Sequence, residues 1–273
     1  MIGVVYAVLT LAAIGAVCAA VLVAAARYMK VPDDETTANI RSSLPGANCG
    51  ACGYAGCDGY AEALANGSEK RTNLCVPGGD GAARAIADVL GVDFSDVTEK
   101  TANVKCRGDC EAVRRNYVYD GVNSCKAVSM LYGGDSSCAF GCLGYGDCVK
   151  ACPQSAVFVE NGVARVEHRL CIGCGLCAEA CPKGLIELVP DANRVVVKCS
   201  NREKGAVARK KCENACIGCK KCEKTCAFGA ISVSDNLAKI NYEKCTSCGE
   251  CADACPNGCI KVGDLSGQHR YAG

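Results

Sequence analysis

Cysteine is the residue of this chain that can do chemistry: 27 of its 273 residues are Cys, against two His and no Trp. Thiols can close disulfides or bind soft metal centres, and the count alone leaves both open. Spacing separates them. Cys171-Ile-Gly-Cys174-Gly-Leu-Cys177-Ala-Glu-Ala-Cys181-Pro182 and Cys245-Thr-Ser-Cys248-Gly-Glu-Cys251-Ala-Asp-Ala-Cys255-Pro256 both read C-x2-C-x2-C-x3-C-P. Cys216, Cys219, Cys222 and Cys226 keep that spacing, with Ala227 in place of Pro. Cys138, Cys142, Cys148 and Cys152-Pro153 have a looser form, C-x3-C-x5-C-x3-C-P.

Three closely spaced thiolates grip three irons of a [4Fe–4S] cubane, and the fourth, on the next helical turn, reaches the partner cubane. The motifs therefore pair. One expected ligand set is Cys138, Cys142, Cys148 and Cys181, and its partner is Cys171, Cys174, Cys177 and Cys152. The second pair is Cys216, Cys219, Cys222 and Cys255 with Cys245, Cys248, Cys251 and Cys226. The insertions in the looser motif could alter which of its thiols bind.

Upstream, Leu44-Pro-Gly-Ala-Asn-Cys49-Gly-Ala-Cys52-Gly-Tyr-Ala-Gly-Cys57 is followed by Cys75. One C-x2-C pair with two single cysteines differs from the two pairs of the usual four-Cys zinc site, so a further [4Fe–4S] cluster is expected here. Gly50, Gly53 and Gly56 would let the backbone curl around it. Five clusters are expected in all. Cys106, Cys110, Cys125, Cys199 and Cys212 remain as a pool of ligands for a sixth, as buried thiols, or as ligands rearranged from the looser motif. Cys259 reads as an apolar strand-start residue, and Cys18 as a small helix residue.

The elements that must position these thiols are short. The predicted fold class is α+β: an N-terminal transmembrane helix, a small four-cysteine [4Fe–4S] domain, and two tandem ferredoxin-like modules. Ile2 to Ala26 carries no charge, and about 20 apolar residues suffice to cross a bilayer. Arg27 and Lys30 follow, so the positive-inside tendency puts the rest on the cytoplasmic side of the cell (inner) membrane, single-pass. Val31-Pro32-Asp33-Asp34-Glu35 ends that helix. Short helices are expected over 58–66 and 82–90, closed by Gly67 and Gly91. Hairpins are expected at Ala156–Val159 with Val163–Val166 about Asn161-Gly162, at Leu185–Val189 with Val195–Val197, and at Ile231–Val233 with Ala238–Ile240 about Asp235-Asn236. The expected divisions are 1–30 (anchor), 31–92 (four-cysteine domain), 93–135 (connector), 136–198 (first ferredoxin-like module) and 199–273 (second).

Other chemistry finds little support. The net charge is +1, which makes no case for nucleic acid. No G-x-G-x-x-G follows a strand and no Walker-type loop is present, so nucleotide binding in this chain is not expected. His168 and His269 read as surface residues. Arg209, Lys210, Lys211, Lys220, Lys221 and Lys224 read as a solvated face or as a docking patch for an acidic redox partner.

The N-terminal apolar segment, the 44–57 stretch and Cys138-Ala-Phe-Gly-Cys142-Leu-Gly-Tyr-Gly-Asp-Cys148-Val-Lys-Ala-Cys152-Pro153 together resemble the B subunit of the Rnf complex, over nearly the whole chain. The resemblance implies an electron-transfer subunit of an ion-translocating ferredoxin:NAD oxidoreductase. Soluble ferredoxin would be the donor, and the other membrane subunits of the complex would be the partners. NAD reduction and sodium or proton pumping would fall to those subunits, and this chain would make no bonds itself. Cys49, Cys52, Cys57 and Cys75 match that family's own four-cysteine domain. The Cys216–Cys255 pair extends beyond shorter relatives. The alternatives are an anchored polyferredoxin serving a hydrogenase or other reductase, a redox sensor, and a secreted disulfide protein.

Overall fold

The structure, a computed structural model, describes residues 2–28, 35–192 and 194–263. Helix α1 (Ile2–Tyr28) comes first. Its side chains are described at Tyr6 and over 12–24, all exposed, Cys18 among them. The expected transmembrane helix is corrected here: among the described residues, no helix is long and apolar enough to cross a membrane. Arg27 and Lys30, which set the expected orientation, lie outside the residues whose side chains are described, as do the linker Val31 to Asp34 and His269.

The four-cysteine region is built on α2 (Glu35–Ser43), α3 (Cys57–Ala65) and α4 (Gly79–Leu90). Ile40, Tyr60, Leu64 and Ile86 form its core together with Cys57 and Cys75. The Arg41 guanidinium donates to Asp58 Oδ1 at 2.5 Å, tying α2 to α3. α4 is closed by Gly91 at φ 65, the left-handed position glycine tolerates.

The first module contains β1 (Lys100–Val104), α5 (Cys125–Met130), α6 (Asp147–Lys150), β2 (Val157–Glu160), β3 (Val163–Val166), α7 (Leu176–Ala180) and β4 (Ile186–Pro190). β2 and β3 form a hairpin whose turn residues Asn161 and Gly162 sit at φ 48 and 77, as a two-residue I′ turn requires. β1 pairs antiparallel with β4, Lys100 opposite Pro190 through Val104 opposite Ile186. The second module contains β5 (Val195–Val197), α8 (Gly205–Lys211), α9 (Lys221–Thr225), β6 (Ile231–Ser234), β7 (Leu237–Ile240), α10 (Glu250–Asp253) and β8 (Ile260–Val262). It repeats the plan: β6 pairs with β7 through Asp235 and Asn236 at φ 52 and 59, and β5 pairs with β8. In each module a strand from its start closes on a strand from its end.

The expected hairpin of 185–189 with 195–197 does not form. Its two strands belong to different sheets. Val189 and Val196 meet instead through side chains at the seam between the modules, packed with Tyr242. β1, expected in the connector, is thereby a strand of the first module, and β5, expected within 136–198, is a strand of the second.

Candidate functional site: six groups of cysteines

Cysteines contribute much of each module's core, because Val, Ala and Cys replace the large side chains that an ordinary core of this size would hold. None of the 27 is in a disulfide. Their groupings follow from the local folds.

Cys49 and Cys52 lie on the tight loop before α3, Cys57 opens that helix, and Cys75 stands on the turn before α4. The loop is pinned where the Cys57 N–H donates to Asn48 Oδ1 at 2.9 Å. Burial first, with the nearby thiols of Cys57, Cys49 and Cys52 adding, pushes Cys75 up to about 11. The four thiols thus share one site.

In the first module, Cys177 is pushed up to about 12, by burial first and then by Cys171, Cys174 and Cys152. That is one expected set. Its sulfurs accept backbone N–H groups, Cys171 from Ala102 at 3.4 Å and Cys152 from Ala156 at 3.3 Å. Gly173 within this loop has φ 66, and a Cβ there would come 2.3 Å from the Lys100 carbonyl oxygen, so only glycine lets the loop close on β1.

The neighbouring set differs from expectation. Cys148 is pushed up to about 12 by burial first, then by Cys142, Cys125, Cys181 and Cys177. Cys125, Cys142, Cys148 and Cys181 line one cavity. Cys125 occupies the place expected for Cys138. It opens α5, and α5 is held to α6 by Asp147, which accepts from Ser124 Oγ at 2.8 Å and from the Lys126 N–H at 2.9 Å. The insertions in C-x3-C-x5-C are the sequence signal for this exchange. They carry Cys138 away from its motif, and a helix from the connector supplies the missing thiol.

Cys138 lies instead with Cys106, Cys199 and Cys212. The four are buried and line one cavity. Cys110, a member of the same leftover pool, joins no group. It is exposed and lies against Gly162, where a Cβ would come 2.6 Å from its sulfur.

In the second module, Cys222 is pushed up to about 11, by burial first, near Cys216, Cys219 and Cys255. Cys251 is likewise pushed up to about 11 by burial, near Cys245, Cys226 and Cys248, and these four line a further cavity. Cys259, expected to be an apolar strand-start residue, is buried with its sulfur 3.3 Å from that of Cys255. Hydrogen bonding with Cys259 lowers both Cys255 and Cys216 below the ordinary thiol range. No spacing rule points to that contact, because Cys259 falls outside the motif. His168 bonds Thr101, its Nδ1 3.0 Å from the hydroxyl, and lies in none of the groups.

The groups suit cubanes. Three of them line a common cavity with four thiols and in the other three the four thiols lie within electrostatic reach of one another, with amide N–H groups aimed at several of the sulfurs, as iron–sulfur ligands require. Among the described residues, no three or more His, Cys, Asp or Glu side chains close on a single metal ion. Cubane ligands bind four separate irons and share no such point.

The chain matches the families described as "Putative Fe-S cluster" over residues 44–77, "4Fe-4S binding domain" over 164–187 and "4Fe-4S dicluster domain" over 215–259. It is 41% identical over 224 residues to the B subunit of the Na(+)-translocating ferredoxin:NAD(+) oxidoreductase complex of Acetobacterium woodii, covering 82% of this chain and 67% of the relative. With the proton-translocating counterpart of Clostridium ljungdahlii it shares 43% over 203 residues, 74% of this chain and 72% of the relative. With the B subunit of the ion-translocating oxidoreductase complex of Methanosarcina acetivorans it shares 38% over 235 residues, 86% of this chain and 89% of the relative.

Proposed function

Because the chain belongs to the family of B subunits of ion-translocating ferredoxin:NAD oxidoreductase (Rnf) complexes, we propose that it carries electrons from reduced ferredoxin into such a complex. It is an electron-transfer subunit of an oxidoreductase, and membership of an ion-translocating complex suggests association with a membrane. The other subunits of that complex are its partners, and the cysteine modules work on the side where ferredoxin is found, the cytoplasm.

The observation that carries this reading is the contiguity of the cysteine groups. Cys174 feels the charge of Cys49, and Cys148 that of Cys177, so three groups lie within electrostatic reach of one another. In the second module Cys222 and Cys226 share one helical turn, the N–H of Cys226 donating to the Cys222 carbonyl at 3.2 Å. When bound, cubanes in these groups supply one-electron carriers that need neither proton nor bond change. The chain's own part is to hold them close, to aim N–H groups at their sulfurs and to exclude water. Ligands for five are Cys49, Cys52, Cys57 and Cys75; Cys125, Cys142, Cys148 and Cys181; Cys152, Cys171, Cys174 and Cys177; Cys216, Cys219, Cys222 and Cys255; and Cys226, Cys245, Cys248 and Cys251.

Ferredoxin docks on the second module. Cys219 and Cys248 are exposed there, whereas the thiols of the first module's two cluster groups are buried or half-buried. Lys220, Lys221 and Lys224 lie exposed beside Cys219, and a basic rim steers an acidic partner.

Anaerobic purification of the native complex, with subunit identification and a ferredoxin-to-NAD assay, tests the proposal. Sister subunits co-purifying with ferredoxin-dependent NAD reduction are expected. Co-purification with a hydrogenase in their place would refute it.

A further inference from the structure

Cys106, Cys138, Cys199 and Cys212 fall outside all three family matches, which cover 44–77, 164–187 and 215–259. We propose that these four thiols hold a sixth [4Fe–4S] cubane, and that it bridges the two ferredoxin-like modules. The inference rests on the reading that the other groups hold cubanes, and adds to it a site and a route.

The four come from separate segments: Cys106 follows β1, Cys138 lies between α5 and α6, Cys199 follows β5, and Cys212 ends α8. All four are only 6–8% exposed. Chance burial of small apolar thiols would not bring four of them around one cavity from such distant points. The charges of Cys106, Cys199 and Cys212 each interact with that of Cys138. The cavity wall beside them is bare: a Cβ on Gly108 would come 3.3 Å from Cys212 Sγ and 3.8 Å from Cys106 Sγ, and 2.6 Å from a Val113 methyl.

The sulfurs are provided with donors. Cys106 Sγ accepts the N–H groups of Gly108 at 3.4 Å and Cys142 at 3.3 Å. Cys199 Sγ accepts the Cys216 N–H at 3.2 Å, and the Asn201 side-chain amide, 1% exposed, points at Cys138 Sγ from 3.6 Å. Donors to sulfur stabilise the added negative charge of a thiolate-bound centre, and an inert buried thiol has no need of them.

Two of those donors fix the route. The N–H on Cys106 belongs to Cys142, whose own thiol lies in the first module's group with Cys125, Cys148 and Cys181. The N–H on Cys199 belongs to Cys216, whose own thiol lies in the second module's group with Cys222 and Cys255. The new site is thus one residue and one hydrogen bond from a ligand on either side. A cubane held by these four thiols would supply a one-electron carrier between the two modules, taking one electron from the reduced centre of one and giving it to the oxidised centre of the other, with no proton moved and no bond broken.

The test uses the full chain, purified anaerobically, with the variants Cys106→Ala/Cys212→Ser and Asn201→Leu. The parent should hold about 24 irons and no zinc, and the double variant about 20, as four irons per cubane require. On mixing with reduced ferredoxin, the parent chromophore should bleach in one fast phase. In the double variant only one module's share should bleach fast. Asn201→Leu should keep its iron and shift one midpoint potential downward, through loss of a donor to sulfur. Alkylation of the untreated parent guards against misfolding of the variants: Cys106 and Cys212 should resist the reagent, and Cys110 should react. About 20 irons in both parent and double variant, a zinc ion in the parent, or ready alkylation of Cys106 and Cys212 beside an otherwise iron-loaded chain would overturn the sixth site while leaving the electron-transfer reading intact. A parent without iron would overturn both.

Discussion

Thiols of one chemical type have different fates here, and position alone separates them. Cys110 is exposed against the β2–β3 turn, whereas Cys125 is buried among three other thiols at the start of α5. Cys125→Ser is expected to lose about four irons per chain and Cys110→Ser none, read by iron and sulfide analysis. A second residue-scale prediction concerns acid. Glu69 accepts from Arg71 Nη2 at 2.8 Å, from two backbone N–H groups, and from Tyr54 Oη at 3.1 Å. Arg71 foremost holds its carboxyl down at about 2. A depressed carboxyl stabilises the folded form above its ordinary value, and that contribution fades as pH falls from about 4.5 toward about 2. The Glu69→Gln chain should therefore bleach faster than the parent near neutrality, and the gap should narrow as the buffer is acidified through about pH 4 to 3. An equal gap at every pH would show that the carboxylate's charge plays no part.

At the scale of elements, the closing strands matter more than the hairpins. The I′ hairpins β2–β3 and β6–β7 form from local turn chemistry, whereas β1–β4 and β5–β8 join residues far apart in sequence. The seam between modules is narrow: Val189 and Val196 are 0% and 1% exposed, with Tyr242 packed against them. Val196→Ala removes two buried methyl-sized groups, worth about 0.8 kcal/mol each, so a loss of about 2 kcal/mol including the cavity is expected. Denaturant titration of the anaerobic protein would measure it. An unchanged midpoint would mean that the seam contributes nothing to stability.

For the molecule as a whole, clusters and fold depend on one another. Cys199, Cys212, Cys216, Cys222, Cys251 and Cys259 supply much of the second module's core, beside Val, Ala, Ile and Leu. Four thiols facing a common space pack poorly without the centre they surround, and metal binding is then folding free energy. Anaerobic treatment with a strong iron chelator should abolish the brown chromophore and most of the strand signal in far-ultraviolet circular dichroism together. Retention of full secondary structure after complete iron loss would refute that coupling. The basic rim makes a further prediction at this scale. Charge reversal at Lys220, Lys221 and Lys224 should slow reduction by ferredoxin about 10-fold or more at low salt, with the difference vanishing near 1 M salt.

By itself the sequence determined the kind of chemistry and most of the thiols that fall into its groups. Spacing of thiols along one strand-and-turn segment is a local property, and so C-x2-C-x2-C-x3-C, the 44–57 loop and the Asn161-Gly162 turn were legible directly. Where ligands converge from distant segments, nothing local marks them. The exchange of Cys138 for Cys125, the meeting of Cys106, Cys138, Cys199 and Cys212, and the pairing of β1 with β4 were decided by tertiary structure alone. The physical reason is common to all three. Each depends on which chain ends a sheet brings back together, and that is settled by the packing of whole modules, not by the residues next to any one cysteine.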